Sequence, residues 1–204
     1  MTLMINDIKC RCHLAAFILS VLIGCSAAVR ADVVQQAEDW FANITTMRAD
    51  FTQIASDGSS AEGRILMRRP SHLKITYNGV PAMNLITSSV WLHVDQPDER
   101  RVTSYPISET PLSLILADPV SLRPDDFETI VTARAGGITQ IAITKYSGEG
   151  AGRLTLEFTD RPFQLRRWIV EDVAGIKTSL TLQNMVFGAP VENAEFRLPN
   201  YLNQ

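Results

Sequence analysis

The sequence predicts a mainly β domain with helices, in which about eleven antiparallel strands curl into a barrel or half-barrel with an apolar inner face. Three observations lead there. From Ala49 onward, strand-forming runs follow one another at hairpin spacing, separated by turn residues. Several of these runs carry their apolar side chains on one face only. Helical patterning is confined to the segment before the first strand and to one insert that interrupts the strands.

The first helical segment is Asp32 to Met47. Val34, Ala37, Trp40, Phe41, Ile44 and Met47 recur at helical spacing, with Gln35, Glu38, Asp39 and Asn43 on the opposite side. Packing on the domain's own sheet accounts for that stripe more economically than a partner or membrane surface. The strands follow. Ala49 to Ser56 leads through Asp57-Gly58 to Ala61 to Arg69. Beyond Pro70, His72 to Tyr77 ends at Asn78-Gly79, the strongest short hairpin signal in the chain. Ala82 to Thr87, Val90 to Asp95 and Arg100 to Tyr105 complete one series. Phe127 to Ala133, Ile138 to Lys145, Arg153 to Thr159, Phe163 to Glu171 and Lys177 to Phe187 form the other. In a single meander of this kind one face is wet and the other must be covered. The clearest examples are Leu73/Ile75/Tyr77 against His72/Lys74/Thr76, and Leu154/Leu156/Phe158 against Thr155/Glu157/Thr159.

Gly63 to Tyr77 poses a physical problem. If the strand before Pro70 is extended without a bulge, Ile65, Met67 and Arg69 share one face and Arg64, Leu66 and Arg68 the other. The parity that turns Ile65 and Met67 inward therefore turns Arg69 inward too. A guanidinium facing an apolar surface needs acceptors from elsewhere in the chain.

The insert from Pro106 to Leu122 is apolar nearly all round. Thr110 is the expected N-cap and Pro111 the first helical residue, with Leu112 to Leu116 filling the turns before Asp118-Pro119. Four aliphatic side chains buried on a sheet contribute roughly 6–12 kcal/mol, an upper bound. Two helical turns have little stability of their own. The pattern fits a displaceable lid and a core-filling crossover helix equally.

The 204 residues, 46% hydrophobic with net charge −3, suffice for one domain with a substantial core and give no basis for nucleic-acid binding. Residues 1–31 read as a secretory signal peptide, with Lys9 and Arg11, an apolar run from Leu14 to Ile23, and Val29-Arg30-Ala31 at the cleavage position. Domain boundaries are accordingly 1–31 and 32–204. Cleavage there removes Lys9, Arg11 and Arg30 but only Asp7, taking the net charge from −3 to −5. It also removes Cys10, Cys12 and Cys25, leaving neither disulfide nor thiolate site. Leu22-Ile23-Gly24-Cys25 additionally resembles the box preceding a lipidated cysteine. Either processing route leads outside the cytoplasm.

Little in the chain points to catalysis. Only His72 and His93 remain beyond the signal, both expected on solvent-facing strand positions, and no nucleophile elbow, phosphate loop or metal-spaced cluster occurs. Asp125-Asp126 and Glu171-Asp172 abut turns, and Arg166-Arg167 reads as a solvated strand edge. No cofactor or metal is expected.

Ala49-Asp50-Phe51-Thr52-Gln53, Gly63 leading to Arg68-Arg69-Pro70, Leu73 to Tyr77, Val90-Trp91, Thr110-Pro111-Leu112 and Phe196-Arg197-Leu198-Pro199 occur in an order that resembles the periplasmic outer-membrane lipoprotein carriers of lipoprotein localisation. The resemblance spans nearly all of the chain after residue 31. Two local departures are Ser88-Ser89 in place of Asp-Gly before the Trp hairpin, and Pro199-Asn200-Tyr201 in place of Pro-x-Gly. The resemblance implies an unclosed antiparallel barrel covered by a helical lid around an apolar cavity for acyl chains. It implies that Arg69 hydrogen-bonds to the lid as a latch, and that Leu73 lies in a region of ligand handling. On this reading Ile65, Met67, Leu73, Ile75, Trp91, Leu154, Leu156 and Phe158 line the lipid-binding wall, while Leu112, Leu114, Ile115 and Leu116 close it. The implied partners are acylated lipoproteins, an inner-membrane ATP-driven releasing complex and an outer-membrane receptor, with the carrier a periplasmic monomer. The alternatives are a lipid-anchored receptor of the same fold, if Cys25 is acylated, and an enzyme acting on a hydrophobic substrate.

Overall fold

The computed structural model describes residues 32–201. The first helix, α1, is Val33–Ala42. The strands are β1 Thr46–Ala55, β2 Ser60–Arg68, β3 His72–Asn78, β4 Met83–Ser88, β5 Trp91–Gln96, β6 Arg101–Pro106, β7 Glu128–Arg134, β8 Ile138–Lys145, β9 Gly152–Asp160, β10 Phe163–Glu171 and β11 Lys177–Phe187. A second short helix, α2 Leu112–Leu116, lies between β6 and β7. Cleavage and lipidation in residues 1–31 fall outside the described residues.

All eleven strands form one antiparallel sheet in the order β6-β5-β4-β3-β2-β1-β11-β10-β9-β8-β7. This corrects the expected single meander. Two meanders, β1–β6 and β7–β11, join through the antiparallel pairing of β1 with β11. The segment between β6 and β7 is a crossover carrying α2 rather than a hairpin. It leaves those two strands at opposite edges, so the barrel is unclosed.

The first helix is also shorter than its apolar spacing suggests. It ends at Ala42 with Asn43 as C-cap, while Ile44 is buried from the connecting loop and Met47 from β1. Thr45 and Thr46 are β-branched, and β1 has partners on both sides, with Met47 opposite Met67 of β2 and Phe187 of β11. Ladder pairing on two edges outweighs the weak helical preference there. The N-terminus of α1 is capped by Asp32, whose Oδ1 accepts the Val34 N–H at 3.0 Å.

Inside the curved sheet, α1 buries Val34, Ala37 and Phe41 against β-strand residues of both meanders. Trp40, Phe41 and Phe158 meet edge to face, and Phe163 stacks on Phe158 with centroids 4.6 Å apart. At the other end, Gly63 stands between Phe51 and Tyr77, themselves edge to face at 5.2 Å. A Cβ on Gly63 would lie 2.1 Å from the Thr76 carbonyl oxygen and 2.7 Å from the Phe51 ring. Backbone cannot retreat as a side chain can. Gly63→Ala is therefore expected to lower unfolding stability by about 1–3 kcal/mol, read from a denaturant midpoint at unchanged slope.

The convex face is less wet than alternation implies, because the C-terminal segment returns across it. Val191 and Phe196 pack on Leu66 and Ile86. The Arg68 guanidinium lies 5.1 Å from the centre of the Phe196 ring, and Tyr201 donates its hydroxyl to Asp95 at 2.5 Å. The Asp95 carboxylate pushes the Tyr201 pKa up to about 12. Both histidines are corrected accordingly. His72 is half-buried with its ring centroid 5.2 Å from that of Phe196, and His93 is only 8% exposed, its ring nitrogens 2.7 Å from Oγ of Ser88 and of Ser104. Those two partners let the imidazole be buried, and burial lowers its pKa.

Arg166 and Arg167 differ from the expected solvated edge as well. A bulge between Leu165 and Arg167 places both arginines outside while Leu165 and Trp168 remain in the core, and Arg167 donates to buried Glu157 at 2.7 Å. In the β4–β5 turn, Ser89 takes the left-handed φ of 48° that glycine would adopt without strain.

Candidate functional site

The β2–β3 pairing is continuous from Glu62↔Asn78 to Arg68↔His72, without a bulge. Ile65 consequently faces Ile75, and Met67 faces Leu73, all four on the concave side. From the other meander, Leu154, Leu156 and Phe158 of β9 enter the same apolar cluster, joined by Ile141 and Ile143 of β8. Leu114, Ile115 and Leu116 of α2 close over it. Leu112, at the start of α2, is only half-buried at the rim. The cavity implied by the resemblance is filled by the protein's own helices. Ile65, Met67, Leu73, Ile115, Leu156 and Phe158 are each at most 1% exposed.

Trp91 is a correction. It pairs with Ser88 and shares the convex face with His93 and Asp95, where it is 45% exposed. The inward side chains of β5 are Leu92, opposite Thr87, and Val94, opposite Leu85. The alternation of Leu92 and Val94 with His93 and Asp95 already carries this information in the sequence.

Arg69 lies one residue beyond β2. Its main-chain N–H donates to Thr45 O at 3.0 Å, and its side chain turns inward to α2. Nη1 donates to the Ile115 carbonyl and Nη2 to the Ala117 carbonyl, the latter at 2.7 Å. Between them, the Ser71 N–H donates to Leu116 O at 3.3 Å. Three successive carbonyls at the C-terminus of a five-residue helix thus receive donors from one loop. These are the groups a helix end leaves unsatisfied, and a cation there also complements the helix dipole. Burial lowers the Arg69 pKa, opposed by the nearby charge of Asp118; a guanidinium remains protonated throughout the working range. Ser71 carries no chemical signature in the sequence, because its contribution is a backbone N–H.

The lid begins differently from expectation. Pro111 is the N-cap and Leu112 the first helical residue, while the Thr110 hydroxyl donates to Ile107 O at 2.9 Å. A short helical turn at Ile107–Glu109 immediately precedes it and claims Thr110 as its own C-cap.

Past α2, a second attachment escaped sequence reasoning. Val120 and Leu122 are buried, the Leu122 N–H donates to Glu38 Oε1 at 2.7 Å, and its carbonyl accepts from Thr129 Oγ1 at 2.6 Å. Arg123 then pairs with the α1 cap, Nη2 to Asp32 Oδ1 at 2.6 Å. The crossover is tied to α1 by one strut and one exposed ion pair.

The Arg123 hydrogen bond holds the Asp32 carboxyl at about 2, below its ordinary 3.8. A depressed folded-state pKa stabilises above the unfolded value, and that contribution disappears as pH falls through the folded one. The Tm gap between wild type and Asp32→Asn is therefore expected to be open at pH 5 and to close between about pH 4 and pH 2. An equal gap at pH 5 and pH 2 would refute this linkage.

Among the described residues, no group of three or more His, Cys, Asp or Glu is placed to hold a metal ion. The site's resources are an apolar concave wall, a short apolar helix over it, and a cation fastening that helix's end. Residues 42–199 match the family described as outer membrane lipoprotein carrier protein LolA.

This chain belongs to the LolA family.

The LolA match is accompanied by a curated relative from Methylobacillus flagellatus, an outer-membrane lipoprotein carrier protein. It is 25% identical over 182 residues, covering 83% of this chain and 86% of the relative. Two solved structures share the fold of this LolA-family chain. An uncharacterized conserved protein from Thermus thermophilus has a TM-score of 0.52 at 9% identity, over 83% of this chain and 94% of its own. A DUF1329 family protein from Desulfovibrio piger has 0.51 at 10% identity, over 81% and 95%. At such identities the likeness concerns the fold alone.

Proposed function

We propose that this LolA-family protein is a periplasmic carrier that binds the acyl chains of lipoproteins and delivers them to an outer-membrane receptor. Loading is by an ATP-driven releasing complex of the inner membrane. The observation that carries this reading is the roof of the apolar face, a five-residue helix held at its C-terminus by Arg69 and Ser71 rather than by strand pairing.

An acyl chain of ~15 methylenes costs on the order of 12 kcal/mol to leave a membrane unless hydrocarbon is replaced. Burial of Leu114, Ile115 and Leu116 contributes roughly 5–9 kcal/mol, so lid and cargo compete for one surface on comparable terms. The Arg69 bonds add about 1.5–3 kcal/mol each to the closed form and are lost on opening. Re-forming them favours unloading. The wall is then Ile65, Met67, Leu73, Ile75, Leu154, Leu156 and Phe158, with Leu92 and Val94 replacing Trp91 along β5.

Secretion in this scheme removes residues 1–31, so that Asp32, the cap of α1, becomes the first residue. Intact mass of the exported protein distinguishes this from acylation at Cys25, which would make the protein a membrane-anchored receptor.

The direct test adds the purified protein to inner-membrane vesicles carrying the releasing complex and one lipoprotein, acylated or with its lipidated cysteine replaced. A soluble one-to-one complex is expected with the acylated form only. Equal recovery of the unacylated form, or chemical turnover of the acyl group, would sink the carrier reading.

A further inference from the structure

We infer that Gly150, in the turn between β8 and β9, is a positioning residue for closure of the lid. The absence of a side chain there sets how far the leading end of the crossover settles onto the second meander. The consequence for delivery rests on the carrier reading, whereas the effect on the empty protein stands on geometry alone.

The trailing end of the lid, the C-terminus of α2, is fastened by Arg69 and Ser71 from the β2–β3 turn. Its leading end is the helical turn Ile107–Glu109, which follows β6 of the first meander and whose main chain lies against Gly150 of the second. A Cβ on Gly150 would stand 3.0 Å from the Ser108 carbonyl oxygen, and 3.3 and 3.4 Å from the carbonyl carbon and Cα of Glu109. Main chain at such distances has to shift, because it has no rotamer to change. The helical turn has little freedom to do so. The Ile107 N–H donates to Val90 O in the β4–β5 turn at 2.9 Å, the Ile107 carbonyl accepts from the N–H and the hydroxyl of Thr110, and the Ile107 side chain packs on the core. On the other side of the contact, the Ala151 N–H closes the β8–β9 turn on the Gly148 carbonyl at 3.2 Å. Both meanders therefore hold the leading end, one by a hydrogen bond and the other by main-chain contact. A side chain at position 150 lifts that end, and α2 follows it, since the Ser113 and Leu114 N–H groups are bonded to the Thr110 and Pro111 carbonyls. Gly150 also has a φ of 71°, in the left-handed region that glycine enters without strain. The same turn supplies the control for that second effect. Gly148 has a φ of 83°, but a Cβ there would meet nothing within 4 Å among the described residues. Gly148→Ala thus carries the backbone strain alone, and Gly150→Ala carries strain and lid contact together.

Amide hydrogen exchange on the purified, cargo-free protein separates the two variants. Exchange at residues 112–117 is expected to be on the order of fivefold faster in Gly150→Ala than in Gly148→Ala, with the amides of β1 alike in both. In the vesicle assay both variants are expected to form the soluble cargo complex at the wild-type level. Gly150→Ala alone is expected to slow transfer to receptor-bearing outer membranes, by about the same factor. Equal lid exchange in the two variants overturns the inference. So does a Gly150→Ala protein in which exchange in β1 rises as much as in the lid, because that marks general destabilisation. Transfer at one rate by both variants overturns the role in delivery. Lid exchange that responds as expected, in a protein that takes up no acylated lipoprotein, supports the contact at Gly150 and counts against the carrier reading instead.

Discussion

Arg69→Leu is expected to leave lipoprotein loading intact and to stop delivery. Leucine retains enough apolar bulk to lie beside the lid but offers nothing to the Ile115 and Ala117 carbonyls. The closed form loses two charge-assisted hydrogen bonds, together roughly 3–6 kcal/mol, whereas an open form holding cargo loses nothing that Arg69 supplies. The equilibrium between holding an acyl chain and closing over the empty wall moves toward holding. In a two-step assay, soluble cargo complex forms at the wild-type level, and transfer to receptor-bearing outer membranes falls by at least about tenfold. Arg69→Lys should fall between, because a point charge cannot span two carbonyls as a planar fork does. Hydrogen exchange at residues 112–117 supplies an independent reading, with faster exchange in Arg69→Leu. If that variant delivers at the wild-type rate, Arg69 is only a packing residue with satisfied nitrogens.

Phe158→Ala should produce the largest loss of stability, about 3–5 kcal/mol by denaturant unfolding. Phe158 is fully buried where α1 meets β9 and β10. Its ring touches Trp40 at 5.7 Å, Phe41 at 6.2 Å and Phe163 at 4.6 Å between centroids. Removing it leaves a cavity with aromatic neighbours on several sides, and rigid rings fill such a space poorly. A loss below about 1 kcal/mol would show that α1 can collapse onto the sheet without its anchor. The same reasoning changes what Leu73→Glu can report. Leu73 is 0% exposed in the closed form, so a carboxylate there acts on folding before it acts on cargo.

The strands were legible because their side chains alternate and their turns are punctuated. Ile138–Lys145, Phe163–Glu171 and Lys177–Phe187 have the bounds that pattern alone implies. Errors arose where two local rules competed. Ile44 and Met47 continue the helical spacing of α1, but β1 offers Met47 ladder partners on both sides, and the helix stops at Ala42. The lipid-binding wall expected from the resemblance includes Trp91, although its neighbours alternate the other way. Arg166 and Arg167 occupy one face only because a bulge breaks the alternation between them.

Arg69 marks the boundary between the two kinds of knowledge. Parity along one strand sufficed to turn its side chain toward the apolar face, because the two-residue period is a property of extended backbone. The eleven strands, the apolar face and the greasy crossover were readable for the same reason, since each depends on neighbours a few positions away. Only the assembled fold decided what Arg69 meets, that Ser71 and Glu38 help to hold the crossover, that β1 closes on β11, and that the C-terminal segment covers Leu66 and Ile86. Those outcomes join residues tens to more than a hundred positions apart. They depend on where the chain's remaining donors and apolar surfaces find partners once the sheet has curled, and no local period encodes that.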